Sequence, residues 1–420
     1  MASVGTSQSN VTASGTGDNS NFKTALIALM VLFFMMGFIT CLNDILVPYL
    51  KKVFTLSYTQ AALIQFCFFG AYGVMSIPSS KIVQNFGYKR GMVIGFIGAA
   101  LGCLLFLPAV SMQSYPVFLG ALFILASGIV LLQVAANPYV SILGSPETAS
   151  ARLTLNQALN SVGTTIAPVF GAYFILSSLE QEGSQGVKMP YIGIALTLII
   201  IAFVISRLNL PGIKAGDTDR EGAAHESEHS SAWSYKHLVF GAIGIFCYVG
   251  AEVAIGSYLI NYFGMPGVAG LAAADAAHYV AFYWGGAMVG RFIGAYLMQK
   301  INPAKLLTFN ASASIVLLLI SIFSSGHLAM YSIILCGLCN SIMFPTIFTL
   351  SVKGLGKHTD QGSGILSTAI VGGAVIPLIQ GALADVPSIT LRLAFLVPAL
   401  CYCYIVWFGM RGYKADEQTK

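Results

Sequence analysis

The chain has 420 residues, of which 56% are hydrophobic and only 9% are Asp, Glu, Lys or Arg, whereas ordinary globular domains carry about 25% charged residues. Its mean hydropathy is +0.78, and the net charge of +5 comes from 21 basic and 16 acidic residues. This composition leaves too little charge to cover a water-exposed surface. It excludes a water-soluble enzyme, a nucleic-acid-binding protein, a secreted disulfide scaffold and a disordered regulator, and it predicts a chain solvated by lipid.

Apolar stretches long enough to cross a bilayer recur along the whole chain. Residues 1–24 are polar and carry no basic region of the kind that opens a signal peptide, so they predict a disordered cytoplasmic tail. About twenty apolar residues are needed for one membrane-spanning helix. Pro, Gly and polar residues divide the rest of the chain into twelve such stretches, which are numbered here as spans one to twelve. They cover residues 25–50, 59–80, 90–110, 115–143, 152–178, 190–208, 237–264, 275–299, 304–323, 326–352, 362–386 and 388–411.

A polar segment divides the spans into two sets of six. Residues 209–236 hold several acids and histidines and predict a cytoplasmic linker between an N-terminal bundle, 25–208, and a C-terminal bundle, 237–411. The last residues, 412–420, form a second predicted tail. Lys and Arg near span ends are retained in the cytoplasm. With the N-terminus inside, sixteen basic residues fall on the inner side and four on the outer side, so both termini are predicted to be cytoplasmic.

The two halves align weakly with each other at an offset of about 210 residues. Phe38 and Asp44 in GFITCLNDILVPYL fall opposite Phe246 and Glu252 in IFCYVGAEVAIGSYL. Repeats of this kind are found in transporters whose binding site lies between the two halves. The alignment therefore predicts a duplicated six-helix unit.

Three segments resemble the fucose/galactose/hexose–proton symporter branch of the major facilitator superfamily. They are LNDILVPYL at 42–50, QVAANPYV at 133–140 and NQALNSVG at 156–163. The loop FGYKR at 86–90 keeps the glycine and the basic pair of the superfamily's loop after span two, while Gln84 stands where that loop usually has an acid. The resemblance implies an all-α membrane protein with twelve transmembrane helices in two pseudo-symmetric bundles.

Two acidic residues, Asp44 and Glu252, lie deep within spans, where an ionised carboxylate costs about 2.5–3.5 kcal/mol. We expect them to couple proton movement to solute movement; the alternative is a static ion pair with Arg291, which lies within span eight. In fucose-transporting relatives the span-one acid is paired with a second acid in span four, and the resemblance places Gln133 at that position. Coupling would then rest on Asp44, with or without Glu252, and sodium-coupled or passive transport stays open.

Amide side chains within the spans are candidate ligands for a substrate with several hydroxyl groups, because amides both donate and accept hydrogen bonds and are costly in hydrocarbon without partners. Trp284 is added as an aromatic platform for an apolar sugar face. Structural alternatives are a carbonyl freed by Pro138 for Asn137, an interhelical bond for Asn156, and ordinary packing for Trp284. The full substrate-binding set is Asn43, Gln133, Asn137, Asn156, Gln157, Asn160, Trp284 and Asn340.

These observations predict a secondary transporter of the bacterial inner membrane that imports a hexose of the glucose/galactose type by proton symport and alternating access. An importer of N-acetylglucosamine or another amino sugar, a sodium-coupled or passive carrier, and a non-transporting sugar sensor remain alternatives. No nucleophile, nucleotide-binding or metal motif is recognisable. We therefore expect no enzymatic activity, no cofactor, no metal and no nucleic-acid partner, and a functional monomer in membrane lipid.

Overall fold

The computed structural model describes residues 16–53, 58–170, 188–210, 231–386 and 388–414. Every regular element in these ranges is helical. Within them, side chains are described except for 16–22, 42–53, 58–63 and six further positions, so the predicted site residues Asn43 and Asp44 lie on a helix but outside the described side chains. The α-helices are α1 Thr16–Val53, α2 Tyr58–Ser111, α3 Tyr115–Ile142, α4 Ala149–Phe170, α5 Lys188–Arg207, α6 Lys236–Phe263, α7 Ala273–Leu297, α8 Pro303–Phe323, α9 Gly326–Asn340, α10 Met343–Val352, α11 Thr359–Thr368, α12 Gly372–Ala384, α13 Leu391–Ala394 and α14 Leu396–Met410.

Most residues of the predicted spans are helical where the chain is described. Helix α1 begins at Thr16, ahead of the predicted tail boundary at residue 24. Helix α2 contains spans two and three and is interrupted at Gly87, whose φ of 80° and ψ of 165° are not helical. Its apolar stretch Phe66–Ser111 has 46 residues, about 70 Å of helix, which is twice the hydrocarbon thickness of about 30 Å. The break at Gly87 is therefore where the chain turns back.

Nine helical stretches of the described residues are long and apolar enough to cross a membrane. The two long helices that are not among them are α4 and α7. These two helices carry the polar residues Gln157 and Arg291, which explains their lower hydropathy. The count of twelve spans and the cytoplasmic position of both termini stay predictions.

Two spans of the second half are broken in the middle. Span ten is divided into α9 and α10, with Ser341 and Ile342 between them, and Pro345 lies in the first turn of α10. Span eleven is divided into α11 and α12 by the short 3₁₀ segment Ala369–Val371. Proline lacks the backbone N–H that would continue the helical hydrogen bonds. The break in span ten therefore leaves backbone carbonyl groups free to bind side chains.

The helices pack into two groups along the chain. In the first half, α2 packs against α3 and α5, and α1 packs against α4; in the second half, α6 packs against α12 and α14, and α9 packs against α7 and α8. The two halves meet through α2, α3 and α4 on one side and α7, α10 and α11 on the other. The hydrophobic core extends through both halves, and a cavity lies where they meet.

Candidate functional site

The cavity between the halves has a volume of about 150 Å³ and is lined by both polar and apolar side chains. The first half supplies Gln133 from α3 and Gln157 from α4, and the second half supplies the remainder. A cavity of about this size accommodates one six-membered ring in another protein. The residues from the second half are Tyr248, Val249 and Glu252 of α6, Arg291 of α7, Phe344 and Pro345 of α10, and Ile370 of the 3₁₀ segment.

Gln133 is held by one hydrogen bond and keeps one polar atom free for a ligand. Its Nε2 donates to the hydroxyl of Tyr72 on α2, at 3.1 Å. Its Oε1 is buried and has no hydrogen-bond partner among the described residues. Buried polar atoms are usually satisfied by protein or water, so this oxygen is available to a water molecule or to a donor on a ligand.

Arg291 connects the two halves at the cavity. One terminal nitrogen lies 3.7 Å from Oε1 of Glu252, forming an ion pair within the second half. The other terminal nitrogen donates to the hydroxyl of Ser161 on α4, in the first half. The Nε donates to the carbonyl oxygen of Ser341, at 3.3 Å. The guanidinium group therefore binds a carboxylate and a backbone carbonyl of its own half and a hydroxyl of the other half.

Glu252 and Tyr248 lie one helical turn apart on α6 and face Arg291. The side chain of Glu252 is only 13% exposed. The Tyr248 hydroxyl interacts with both Glu252 and Arg291, yet it forms no hydrogen bond of standard geometry within the described residues. A ligand that enters the cavity thus meets a balanced charge pair and the tyrosine hydroxyl beside it.

Three predicted site residues of the first half lie outside the cavity lining. Asn137 is fully buried on α3, and both of its amide atoms lack a partner among the described residues. Asn156 is 1% exposed and donates to the carbonyl of Arg152 within α4. Asn160 donates to the carbonyl of Phe33 on α1, at 3.0 Å. Asn160 therefore joins α1 to α4 in this structure.

The other two predicted ligands belong to the second half and are also absent from the cavity lining. Asn340 is fully buried, and its amide is used in hydrogen bonds with Tyr283 and Tyr402. Trp284 is 44% exposed, and its ring lies against Gly256 of α6. Their predicted contacts with substrate stay predictions.

Several residues of the site carry no strong signal in the sequence. Val249, Phe344 and Ile370 are ordinary apolar residues in apolar spans, and Ser161 is one hydroxyl among many. The detectable signal is Pro345, since a proline inside an apolar span predicts a helix break and a free carbonyl. Within the described residues, no group of three or more His, Cys, Asp and Glu side chains is placed to hold a metal ion.

Two helical bundles of a multi-pass membrane protein, with one polar cavity between them, define a carrier-type transport protein. Residues 27–378 match the Major Facilitator Superfamily, and the chain belongs to that family. It is 56% identical over 404 residues to the glucose/galactose transporter of Brucella abortus, covering 95% of this chain and 97% of that protein. It is 33% identical over 413 residues to the L-fucose-proton symporter of Escherichia coli, covering 94% of each.

The fold matches a solved member of the same family. The crystal structure of the transporter FucP in the outward conformation superposes with a TM-score of 0.83 at 33% identity, covering 93% of this chain and 99% of that chain. The resemblance read from the three sequence segments is thereby confirmed. The all-helical architecture is also confirmed by this match.

Proposed function

We propose that the chain is a secondary active transporter that imports a hexose of the glucose/galactose type together with protons across the bacterial inner membrane. The observation that carries the proposal is the cavity between the halves, which joins the amides of Gln133 and Gln157 to the Glu252–Arg291 pair. The glucose/galactose transporter of Brucella abortus and the L-fucose-proton symporter of Escherichia coli support the substrate class and the coupling ion. The same relatives support transport rather than enzymatic activity.

The chemistry of the cavity suits a neutral molecule that carries several hydroxyl groups. Glu252 and Arg291 balance each other in charge, so the lining formed by the described residues has no net charge to attract an ion. The amides of Gln133 and Gln157 both donate and accept hydrogen bonds, as a hydroxyl group does. The apolar side chains, Phe344 among them, provide a surface for the C–H face of a sugar ring.

Coupling to protons is assigned to Glu252, with Asp44 as a second acid in span one. Gln133 does not titrate, so it does not serve as the span-four acid of fucose-transporting relatives. Protonation of Glu252 removes the negative charge that holds Arg291, and Arg291 also binds Ser161 in the other half. A proton on Glu252 therefore releases the guanidinium group that contacts the other half, and the contacts between the halves are the ones that rocking must change.

The conformation described here is assigned as outward-facing. The direct contacts between the halves include the hydroxyls of Ser150 and Thr349, 2.6 Å apart, and the bond from Ser363 to the carbonyl of Val134, at 3.0 Å. Ser150 and Thr349 lie close to basic loop residues assigned to the cytoplasm by the charge bias. The match to an outward structure of FucP supports the same assignment. Function as a monomer remains part of the proposal.

Uptake into proteoliposomes tests the proposal. Radiolabelled glucose, galactose, L-fucose and N-acetylglucosamine are offered under an inward pH gradient, an inward sodium gradient, or neither. Accumulation of glucose and galactose under the pH gradient, abolished by a protonophore, is expected. Accumulation driven by sodium, equilibration without accumulation, or uptake of N-acetylglucosamine alone would each replace the proposal with the corresponding alternative.

A matched pair of variants ties the uptake to the cavity. Gln157→Ala removes a lining amide, and we expect the half-saturation concentration for glucose to rise about fivefold to thirtyfold, the effect of losing one or two hydrogen bonds of about 1 kcal/mol each. Gln84→Ala removes an exposed amide of α2, away from the cavity lining, and should leave the constant unchanged. Equal effects of the two changes would contradict the location of the site.

A further inference from the structure

We infer that Asn340, Tyr283 and Tyr402 are positioning residues for the Glu252–Arg291 pair, and that the break between α9 and α10 is the element that holds both members of the pair. This inference rests on the proposed function, because positioning matters only if Glu252 carries the coupling proton. It assigns Asn340 a role other than the substrate contact that the sequence predicts. None of these three residues lines the cavity.

A directed chain of hydrogen bonds runs from α14 to the backbone of Glu252. The Tyr402 hydroxyl donates to Oδ1 of Asn340 at 2.6 Å, and Nδ2 of Asn340 donates to the Tyr283 hydroxyl at 2.8 Å. The Tyr283 hydroxyl donates to the carbonyl oxygen of Glu252 at 3.2 Å. Each hydroxyl has a single proton to give, so the direction of the chain and the orientation of the Asn340 amide are both fixed.

Burial makes this series of hydrogen bonds rigid. The side chains of Asn340, Tyr283 and Tyr402 are all 0% exposed. No water competes for their polar atoms, and an unmade hydrogen bond there costs the full desolvation of the group. A sugar that bound Asn340 would have to displace a tyrosine from its amide. The positioning role is therefore the one that the geometry supports.

The neighbouring residue, Ser341, fixes the other member of the pair. In a continuous helix the carbonyl of residue 341 would accept from the N–H of residue 345, which Pro345 lacks. The freed carbonyl accepts from Nε of Arg291, at 3.3 Å. Gly290 permits this approach, because a Cβ at that position would lie 2.6 Å from the carbonyl oxygen of Leu338.

The two contacts converge on one helix. Tyr283 and Arg291 both belong to α7 and lie eight residues apart in sequence, about 12 Å along the helix axis. Tyr283 binds the backbone of Glu252, and Arg291 binds its carboxylate. Two consecutive residues bind these side chains: Asn340 binds Tyr283, and Ser341 binds Arg291. The distance between carboxylate and guanidinium therefore depends on the broken span.

The groups that face Glu252 are few. Among the side chains that the structure describes, Tyr248 of the same helix and Arg291 and Tyr283 of α7 are the titratable groups that interact with it. Helices α10 and α12, which also pack against α6, contain no titratable residue. Helix α14 carries Cys401, Tyr402, Cys403 and Tyr404, and α11 carries Asp360, but none of these is an interaction partner of Glu252. A change in the pH profile of transport caused by moving Tyr283 is thus traced to its contact with Glu252.

Removal of one hydroxyl tests the inference. Tyr283→Phe keeps the ring and deletes the donor to Glu252. The control is Tyr262→Phe, because Tyr262 is also 0% exposed, belongs to α6 and donates to the carbonyl of Ser321 at 2.7 Å, away from the pair. Purified variants in proteoliposomes are compared for glucose accumulation under a pH gradient, for counterflow without a gradient, and for the pH midpoint of uptake.

We expect Tyr283→Phe to lower the ratio of driven accumulation to counterflow about fivefold, the factor for one lost hydrogen bond. The pH midpoint of uptake should move by about one unit, the displacement that corresponds to a tenfold change in proton affinity. Tyr402→Phe, which breaks only the outer bond of the chain, should give a smaller change in the same sense. Tyr262→Phe should keep the wild-type ratio and midpoint even if it melts at a lower temperature.

The outcomes separate this inference from the function on which it rests. If the wild-type protein accumulates sugar under a pH gradient but Tyr283→Phe and Tyr262→Phe give the same ratio and midpoint, the positioning role is refuted and the proposed function stands. If the wild-type protein shows no dependence on the pH gradient, both are refuted before any variant is compared. A variant that does not fold is identified by its loss of counterflow. If Tyr283→Phe does not fold, the comparison of Tyr402→Phe with Tyr262→Phe decides whether the positioning role holds.

Discussion

At the scale of single residues, the cavity depends on one carboxylate whose surroundings are almost entirely neutral or apolar. Glu252 has Arg291 as its ion-pair partner, at 3.7 Å, and the remaining lining residues carry no charge. A buried ion pair costs desolvation energy that is offset only by good geometry. The pair lies next to the amides of Gln133 and Gln157, and the use that we propose for its charge is proton coupling.

Replacing Glu252 by Gln should uncouple transport without abolishing binding. The amide keeps the shape of the side chain but does not titrate, so a pH gradient no longer drives accumulation. Glucose counterflow, which needs no net proton movement, should remain. Glu147→Gln, which changes an exposed acid between α3 and α4, is the control and should behave as wild type. Loss of counterflow to the same extent as loss of driven uptake would instead make Glu252 a binding residue.

Arg291 should be more costly to lose alone than together with Glu252. Arg291→Met leaves a mostly buried carboxylate unpaired, and removing one partner of a buried pair destabilises by about 3 kcal/mol. The double change Arg291→Met with Glu252→Gln removes both charges and should recover most of the thermal stability. Melting temperatures in detergent at constant pH measure the effect. Additive losses in the double variant would mean that the two side chains do not interact.

At the scale of helices, close backbone contacts hold α1 against α4 beside the cavity. A Cβ at Gly37 of α1 would overlap the carbonyl oxygen of Asn160, and a Cβ at Gly163 of α4 would overlap that of Phe34. The Asn160 amide adds a hydrogen bond to the carbonyl of Phe33. This packing resembles the small-residue contacts of membrane helices. It fixes the helix that carries Gln157 relative to the rest of the first half.

Two glycine-to-alanine changes should therefore have opposite signs. Gly37→Ala inserts a methyl group into backbone atoms of α4 and should destabilise by about 1–3 kcal/mol, the usual cost of overpacking. Gly193→Ala lies in helix α5 with no atom within 4 Å of the added methyl group, and it should stabilise by up to about 1 kcal/mol through helix propensity. Thermal melting of the two variants checks both signs. A neutral Gly37→Ala would contradict the close approach.

The sequence predicts the helices well because lipid imposes one rule on every span. Each of the twelve apolar stretches is mostly helical where the chain is described, with a break in span ten and a 3₁₀ segment in span eleven. The roles of the polar side chains are less predictable from the sequence. An amide such as Asn340 can form its hydrogen bonds either with substrate or with buried tyrosines, and the sequence pattern is the same in both cases. Gln133 and Gln157 do line the cavity, whereas Asn160 binds a backbone carbonyl instead. To tell a cavity-lining amide from one that binds protein, it must be known which residues of the neighbouring helices lie opposite it.

At the scale of the molecule, the contacts between the halves are unevenly distributed. The Ser150–Thr349 hydroxyl pair and the Ser363–Val134 bond lie outside the central cavity lining. Ser150 is two residues from Arg152, and Thr349 is four residues from Lys353, which the charge bias assigns to the cytoplasm. Importing a sugar by alternating access requires these contacts to separate while contacts on the outer side form.

A disulfide between the halves should therefore trap the transporter. The hydroxyls of Ser150 and Thr349 lie 2.6 Å apart and both residues are buried, so cysteines at these positions should be close enough to form a disulfide under mild oxidation. We expect the oxidised double variant Ser150→Cys with Thr349→Cys to lose glucose uptake, to retain binding of glucose added outside, and to recover uptake after reduction. Each single cysteine variant controls for the eight native cysteines. Undiminished uptake by a fully cross-linked protein would show that the halves do not separate there.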